Sequence, residues 1–585
     1  MAIMFQERAI DRQFASFICR ESGVTTSDLF RLLVSLVSSA VGKGNICLAL
    51  ADYAGETLSI DGKEIVLPDG DVLQKLLRSK PTVGSPGQHR PLVLDSNARL
   101  YLYRYWRYEQ ELAGALLQKA STLAEGIDEG RLRVGVARLF PECDGEKRDL
   151  QKEAASVALH KQFCVISGGP GTGKTSTVVR ILALLLEQKG AGMQSIAMAT
   201  PTGKAAARLK ASVNDIRPAL ECSDEVKGAI PDDVVTVQRL LGAVSGSSRF
   251  RYCTRNPLPF DTVIVDEASM IALPLMTALV TALKPGARLI LLGDSDQLAS
   301  VEAGAVLGDI CCAGEEGSQD SPLRSSLVKL EKNYRFRAES GIAEISRAVN
   351  AGLERDALEL LKSSTVKGIS WQDLPSREAL KRVLAEKVVD GYRNYLEAPS
   401  AREALERLDR FRILCALRDG PYGVSGLNAA VESILGREGL ITPGSIGYRG
   451  RPVLITVNDY SIQLFNGDTG IVYPDHENGG ALKAFFSDPL GGVRSIPLER
   501  LPQHETAFAM TIHKSQGSEF DRVLMILPPI DSEVLTRELI YTGITRARLS
   551  VEIWANEGVF CRGVRKKTER HSGLRDALFI STSPS

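Results

Sequence analysis

The octapeptide GGPGTGKT runs from Gly168 to Thr175, with Ser176 and Thr177 behind it. Residue types at this spacing bind phosphate. Glycines let successive backbone N–H groups turn inward around a triphosphate, and a following helix adds the positive end of its dipole. Gly168, Gly169, Pro170, Gly171, Thr172, Gly173 and Ser176 would form the cradle of an ATP site. Lys174 would reach the β and γ phosphates, and the Thr175 hydroxyl would hold Mg²⁺. Downstream, VIVDEASM (Val263 to Met270) ends an apolar run in two carboxylates. Such a pair at a strand's carboxyl end serves phosphoryl transfer, Asp266 in the metal shell and Glu267 on the attacking water. LILLGDSDQL (Leu289 to Leu298) ends a further apolar run in Asp294 and Gln297, which places Gln297 to sense the γ phosphate. A glycine turn or an Asp-Glu pair alone would be unremarkable; in this order they point to nucleotide hydrolysis.

These groups need strand ends and helix starts to hold them. From Asp149 the chain alternates apolar strands with helices, the pattern of a parallel sheet. Strands are expected at Phe163 to Ser167, Ser195 to Thr200, Thr262 to Asp266 and Arg288 to Gly293, making one nucleotide-binding layer that ends near residue 330. A second α/β layer follows, with strands at Arg412 to Ala416, Val523 to Leu527 and Leu549 to Ala555. Inside it, residues 450–503 alternate with period two and read as a small β-barrel. Residues 246–260 read as a short hairpin leaving the first layer. Residues 1–125 read as mainly helical, with apolar periodicity through Leu29 to Val41 and Tyr101 to Leu123. The second stretch interleaves Tyr101, Tyr103, Tyr105, Trp106 and Tyr108 with Arg104 and Arg107, a mixture suited to a packed helix or a protein-partner surface.

The 585 residues exceed one core, and a hydrophobic fraction of 44% with 24% charged residues is that of a soluble globular protein. Lys plus Arg and Asp plus Glu balance at 71 each, so any polyanion groove must come from local placement of charge. The ten cysteines contain no C-x-x-C pair, which argues for a reducing compartment and against zinc or iron–sulfur. The charged start MAIMFQERAIDRQF lacks the apolar core of a signal peptide. A cytoplasmic protein is expected.

The ordered set of stretches resembles superfamily 1 helicases, within the 5′ to 3′ branch that contains the RecD family. Besides those above it comprises LQKEAA at Gln151, MATPTGKAAARL from Met198, TVQRLLG from Thr236 and LEKNYRF from Leu330. FNGDTGIV from Phe465, AMTIHKSQGSEFD from Ala509 and LIYTGITRAR from Leu539 complete it. The amino-terminal LYLYRYWRYEQ is similar to RecD proper, a subunit of RecBCD (exonuclease V) complexes. The resemblance implies an α/β fold of two RecA-like parallel-sheet motor domains, at 126–330 and at 331–449 with 504–580. It also implies a helical N-terminal domain at 1–125 serving as a subunit interface, an SH3-like β-barrel insert at 450–503, and a disordered tail at 581–585. Gln151 would read adenine, and Arg335 and Arg546 would bring guanidinium groups from the second layer to the γ phosphate. Pro201, Thr202, Lys204, Thr236, Gln238, Thr511, His513, Lys514 and Gln516 would contact DNA. Implied partners are single-stranded and duplex-end DNA and RecB-like and RecC-like subunits in a heterotrimer. Cleavage would belong to a partner, because Asp215 with Glu225 and Lys227 is the one suggestive nuclease pattern and does not read as a strand. The implied activity is ATP-dependent 5′ to 3′ DNA unwinding in double-strand break repair and recombination, with 246–260 a candidate wedge. A DNA-stimulated ATPase or scaffold subunit is the alternative.

Overall fold

The computed structural model describes residues 3–23, 27–60, 62–140, 149–189, 194–244, 246–247, 249–317, 321–334, 340–363, 365–443, 447–459, 461–476, 479–488 and 492–579. Two all-parallel sheets position the site. The first runs, edge to edge, Val234–Thr236, Ile196–Thr200, Thr262–Val265, Arg288–Gly293, Phe163–Gly168 and Leu327–Leu330. Its strands are apolar on both faces because helices cover both. Phe163 and Val165 enter one core with Val263, Leu289 and Leu291, while Cys164 and Ile166 enter the opposite core with Ile264, Ile290 and Leu292. The helix Lys174–Lys189 fills the second of these cores from Val178 to Leu186.

The second sheet runs Ile369–Asp373, Ala547–Ala555, Phe520–Ile526, Phe411–Cys415 and Ala509–Thr511, again all parallel. The strands expected from apolar runs form within a few residues of their expected limits. Val234–Thr236, Leu327–Leu330, Ile369–Asp373 and Ala509–Thr511 were not anticipated. They are sheet edges or short segments whose apolar content is too low to stand out.

The insert is a five-stranded antiparallel sheet in the order Val493–Pro497, Leu482–Ser487, Thr469–Pro474, Pro452–Ile455 and His504–Thr506. Its last strand lies beyond the expected boundary at 503. Val453, Ile455, Leu464, Val472, Ala484, Phe486 and Ile496 give it a core of its own.

Residues 3–121 carry the expected helices Asp28–Gly42 and Tyr103–Ser121, but the region is not only helical. Two small sheets accompany them, one of Ile3–Met4, Thr57–Ile60 and Lys63–Val66 and one of Cys47–Ala49, Arg99–Leu102, Leu92–Leu94 and Val83–Gly84. Strands of two to four residues leave too little alternation to read. On the helix Tyr103–Ser121, Leu112, Leu116 and Ala120 recur at intervals of four and seat it on the first sheet's core, with Tyr103, Tyr105, Trp106 and Tyr108 packed beside them.

Two boundaries need correction. Among the described residues of 246–260 no regular hairpin forms: isolated bridges join Ala243 to Phe250 and Cys253 to Asn256, and Leu258 pairs parallel with Leu283. Buried Leu258, with Phe250, Tyr252 and Phe260 beside it, roots the segment in the first core. The last residues do not stay with the second lobe. After the helix Glu557–Arg565 the chain crosses back, and the helix Leu574–Phe579 packs on Val306–Glu316 and Tyr103–Ser121. The expected tail at 581–585 lies outside the described residues. No helix among the described residues is long and apolar enough to cross a membrane.

Candidate active site

The strand Phe163–Gly168 ends at the glycine loop, where Gly171 and Gly173 take φ of 82° and 83°, a region that a side chain would penalise. Lys174 Nζ donates to the carbonyls of Gly168 (2.5 Å) and Gly169 (3.1 Å), lying along the loop it is to serve. The Thr172 hydroxyl donates to Gly169 O, and those of Ser176 and Thr177 donate to Gly173 O. Three hydroxyls thus brace the backbone, and Thr175 lines the cleft beyond. The loop is also held from residues after the first sheet, by Asn333 Nδ2 to Pro170 O (2.7 Å) and Tyr334 N to Gly171 O (2.8 Å). Gln151 sits on the helix Leu150–His160, accepts from Arg180 (3.1 Å), and lies so close to Gly173 that a Cβ there would stand 2.6 Å from its Nε2.

Asp266 follows the strand Thr262–Val265 and accepts the Glu267 backbone N–H at 2.8 Å. Glu267 itself sits at φ 54°, a left-handed conformation costing a non-glycine residue roughly 1 kcal/mol or more, which turns its carboxylate beside its neighbour's. Burial and then the Glu267 charge push the Asp266 carboxyl up to about 6. Lys174, Thr175, Asp266, Glu267 and Gln297 from the first lobe share a cleft of about 250 Å³ with Glu519 and Arg546 from the second. Arg546 is fully buried. Its Nε donates to Thr542 O (3.1 Å) and its Nη1 to Ser518 O (3.2 Å), and burial lowers its pKa while Glu267 and Glu519 oppose that fall. Arg335 lies outside the described residues.

Tyr541, Thr542, Asp296, Asn350 and Arg208 at this seam were not singled out from sequence, whereas Asp294 and Gln297 were. Gln297 Nε2 donates to Asp294 Oδ2 (3.0 Å), which also accepts the Tyr541 hydroxyl (3.1 Å) from the opposite lobe. Burial raises the Asp294 carboxyl, and burial followed by Asp294 raises the Tyr541 phenol. Leu298 N donates to Thr542 Oγ1 (3.0 Å), and Asn350 Nδ2 to Asp296 Oδ2 (2.8 Å). Arg208, on the helix Gly203–Ile216, pairs with Glu519 across the lobes and also faces Glu267 and Asp266. Its place in MATPTGKAAARL was visible, but nothing in sequence indicates a partner 311 residues away.

Residues expected at DNA divide. Thr202 caps the helix Gly203–Ile216, accepting Ala205 N at 3.3 Å, and Thr236 caps Val237–Leu240, accepting Arg239 N at 3.3 Å. Pro201 adjoins the first cap and Gln238 lies in the second helix. Lys204, its pKa lowered by burial, lies over the Phe520 ring at 5.8 Å in a groove shared with Thr236, Phe465 and Arg494. Thr511 accepts Lys514 N (3.2 Å), and Lys514 Nζ donates to Asn466 of the insert (2.6 Å). Gln516 differs: it is buried and donates to Leu298 O (2.9 Å), so its amide serves the seam between lobes. His513 is partly buried, its pKa lowered by burial and then by Arg570. Glu225 and Lys227 lie on the helix Asp224–Ala229 rather than a strand, and Lys227 Nζ donates to Pro218 O (3.1 Å).

Three family descriptions match the chain: RecBCD enzyme subunit RecD, N-terminal domain, over residues 7–101; AAA domain over 151–303; and UvrD-like helicase C-terminal domain over 506–553. Among curated relatives, the RecBCD enzyme subunit RecD of Mycobacterium tuberculosis is 38% identical over 97% of this chain and 94% of its own. That of Haemophilus influenzae is 35% identical over 94% and 93%. The ATP-dependent RecD2 DNA helicase of Deinococcus radiodurans is 33% identical over 69% of this chain and 48% of its own.

Proposed function

The chain belongs to the RecD family of RecBCD enzyme subunits, and from that membership we propose that it is an ATP-dependent DNA helicase subunit moving 5′ to 3′ on single-stranded DNA. One observation carries the reading: Lys174, Asp266, Glu267 and Gln297 of one lobe and Arg546 of the other line one cleft. A γ phosphate bound there meets positive charge from both sides, so ATP draws the lobes together, and hydrolysis removes the shared anion and lets them part. Glu267 takes the proton of the attacking water, Gln297 reports the γ phosphate, and Arg546 neutralises charge as the bond breaks. Gln151 reads adenine, and Arg335 is the second arginine at the γ phosphate.

The donor set fits Mg²⁺. The Thr175 hydroxyl and the Asp266 carboxylate line the same cleft, and a cation there would favour the charged Asp266 carboxylate, which burial and then the Glu267 charge disfavour. Bound there, Mg²⁺ would neutralise phosphate charge.

DNA contacts by Pro201, Thr202, Lys204, Thr236, Gln238, Thr511, His513 and Lys514 grip phosphates without reading sequence. The five-stranded insert, an SH3-like barrel in this reading, borders that groove. One nucleotide passes per cycle. Opening a base pair costs on the order of 1.4 kcal/mol, so alternating grips need bias rather than force each step. RecB-like and RecC-like subunits complete the assembly and supply cleavage.

Strand displacement tests this. With ATP, release of the complement from a 5′-tailed duplex, and none from a 3′-tailed one, supports the proposal. Hydrolysis stimulated by DNA without release leaves an ATPase. Undiminished complex activity in Lys174→Gln leaves a scaffold.

A further inference from the structure

Among the described residues, Lys174, Arg208 and Arg546 line the cleft together with the carboxylates of Asp266, Glu267 and Glu519. In the proposed cycle Asp266 holds the metal, Glu267 takes the proton of water, and Lys174 and Arg546 meet the phosphates. Arg208 and Glu519 have no part in that cycle, yet they hold each other across the seam. Arg208 Nη2, on the first-lobe helix Gly203–Ile216, donates to Oε1 of Glu519, the residue that precedes the second-lobe strand Phe520–Ile526. The Glu519 side chain is 7% exposed and that of Arg208 37%, so the arginine keeps open surface at the cleft where the carboxylate keeps little.

Glu519 has a second partner. Its Oε2 accepts Arg548 Nε at 3.4 Å, from the second-lobe strand Ala547–Ala555. A buried carboxylate left without a cation is strongly disfavoured, but Glu519 can release Arg208 and stay paired. Arg208 loses little by the exchange: a phosphate offers its planar fork two oxygens, where it now shares one carboxylate with Arg548. Its place in the cleft favours the γ phosphate. Arg208 lines the cleft with Glu267, Gln297 and Arg546, the groups assigned to the reacting end, and the Glu267 and Asp266 charges bear on it.

Resting on the ATP site assigned above, we propose that Arg208 is a further arginine for the γ phosphate, and that Glu519 competes with the nucleotide for it. Two consequences of opposite sign follow. Loss of the Arg208 donors weakens nucleotides that carry a γ phosphate. Loss of the Glu519 charge strengthens them, because the arginine no longer has to be won from a carboxylate and an anion has left the wall of the cleft. A pair that only braced the lobes against each other would weaken binding whichever partner was lost.

The test is equilibrium binding of fluorescent AMP-PNP and fluorescent ADP, each with Mg²⁺, to the full chain. Arg208→Met keeps the aliphatic stem and removes the donors. Expected are a Kd for AMP-PNP raised about tenfold or more with that for ADP changed less than about threefold, and a Kd for AMP-PNP lowered about threefold or more in Glu519→Gln. Unchanged AMP-PNP affinity in Arg208→Met overturns the proposal. So does an equal loss for both nucleotides, which marks a structural role. Weaker AMP-PNP binding in Glu519→Gln overturns the competition and leaves a brace between lobes. Failure of the unmutated chain to bind AMP-PNP, or binding that Lys174→Gln leaves unchanged, would instead fail the ATP-site assignment. Should Arg208→Met not fold, Glu519→Gln decides alone: tighter AMP-PNP binding supports the proposal, and equal or weaker binding removes it.

Discussion

Arg546 is buried at the cleft, where two carbonyls hold its guanidinium and Glu267 and Glu519 act on its charge. A cation so placed stabilises charge only when the nucleotide brings it. Arg546→Ala should therefore lower kcat for ATP by roughly 10³-fold or more, in the range measured for arginine fingers. Lysine should rescue it poorly, since it lacks the planar fork that the two carbonyls hold. A steady-state fall of less than about tenfold would remove the assignment. Tyr541 makes a smaller claim. Its hydroxyl supplies one bond to the carboxylate that orients Gln297, and bonds to charged groups contribute about 1.5–3 kcal/mol. Tyr541→Phe should lower kcat about tenfold with little change in the KM for ATP; equal loss in both terms would mean that Tyr541 shapes binding instead. That Lys174, Thr175, Asp266, Glu267 and Gln297 line one cleft was legible because their placement depends on local backbone, a loop between strand and helix or the residues that follow a strand. Tyr541, Asp294 and Arg208 gained their roles from partners on another lobe, which no local pattern encodes.

The segment 566–579, which runs from the second lobe back to the N-terminal region, is an element whose hold depends on pH. Two carboxyls face it, Glu109 from the helix Tyr103–Ser121 and Asp309 from Val306–Glu316, each pushed up to about 7 by burial. Glu109 meets Gly573, Ser572, Arg99 and Tyr101; Asp309 meets Ser572, Arg570, Arg575 and Asp576. Both pKa values are raised above those of an unfolded chain, so the folded state binds more protons and this contribution to stability falls as pH rises. It is fully present below the ordinary carboxyl range and lost by the time pH passes about 7. Hydrogen exchange across 570–576, corrected for intrinsic rate, should be slower at pH 6 than at pH 8. Glu109→Gln should flatten part of that difference; an unaltered difference would place its origin elsewhere. The motor strands were readable as elements because both faces of each are buried, which leaves continuous apolar runs. The N-terminal sheets were not, since strands as short as Ile3–Met4 and Val83–Gly84 carry no period.

For the molecule as a whole, unwinding must be separable from hydrolysis if the segment at 246–260 divides the strands. Deleting all of it would remove Leu258, Phe250 and Tyr252 from the first core, so the informative change is confined to the turn at Cys253 and Asn256. Replacing residues 254–255 with glycines should leave DNA-stimulated ATP hydrolysis within about twofold and lower strand displacement by about tenfold or more. Displacement at the unmutated rate would dismiss the wedge. The seam is a property of this same scale. Gln516, expected at DNA, spends its amide on Leu298, while Arg208 and Glu519 join lobes 311 residues apart. The amino-acid sequence by itself determined the phosphate loop, the carboxylate pair and the central strands of the two parallel sheets, because each follows from local backbone preference and apolar periodicity. Only the tertiary structure decided which side chains face across the seam and where the last helix docks. Those outcomes depend on how separately built layers pack, and packing is set by surfaces assembled from residues hundreds of positions apart.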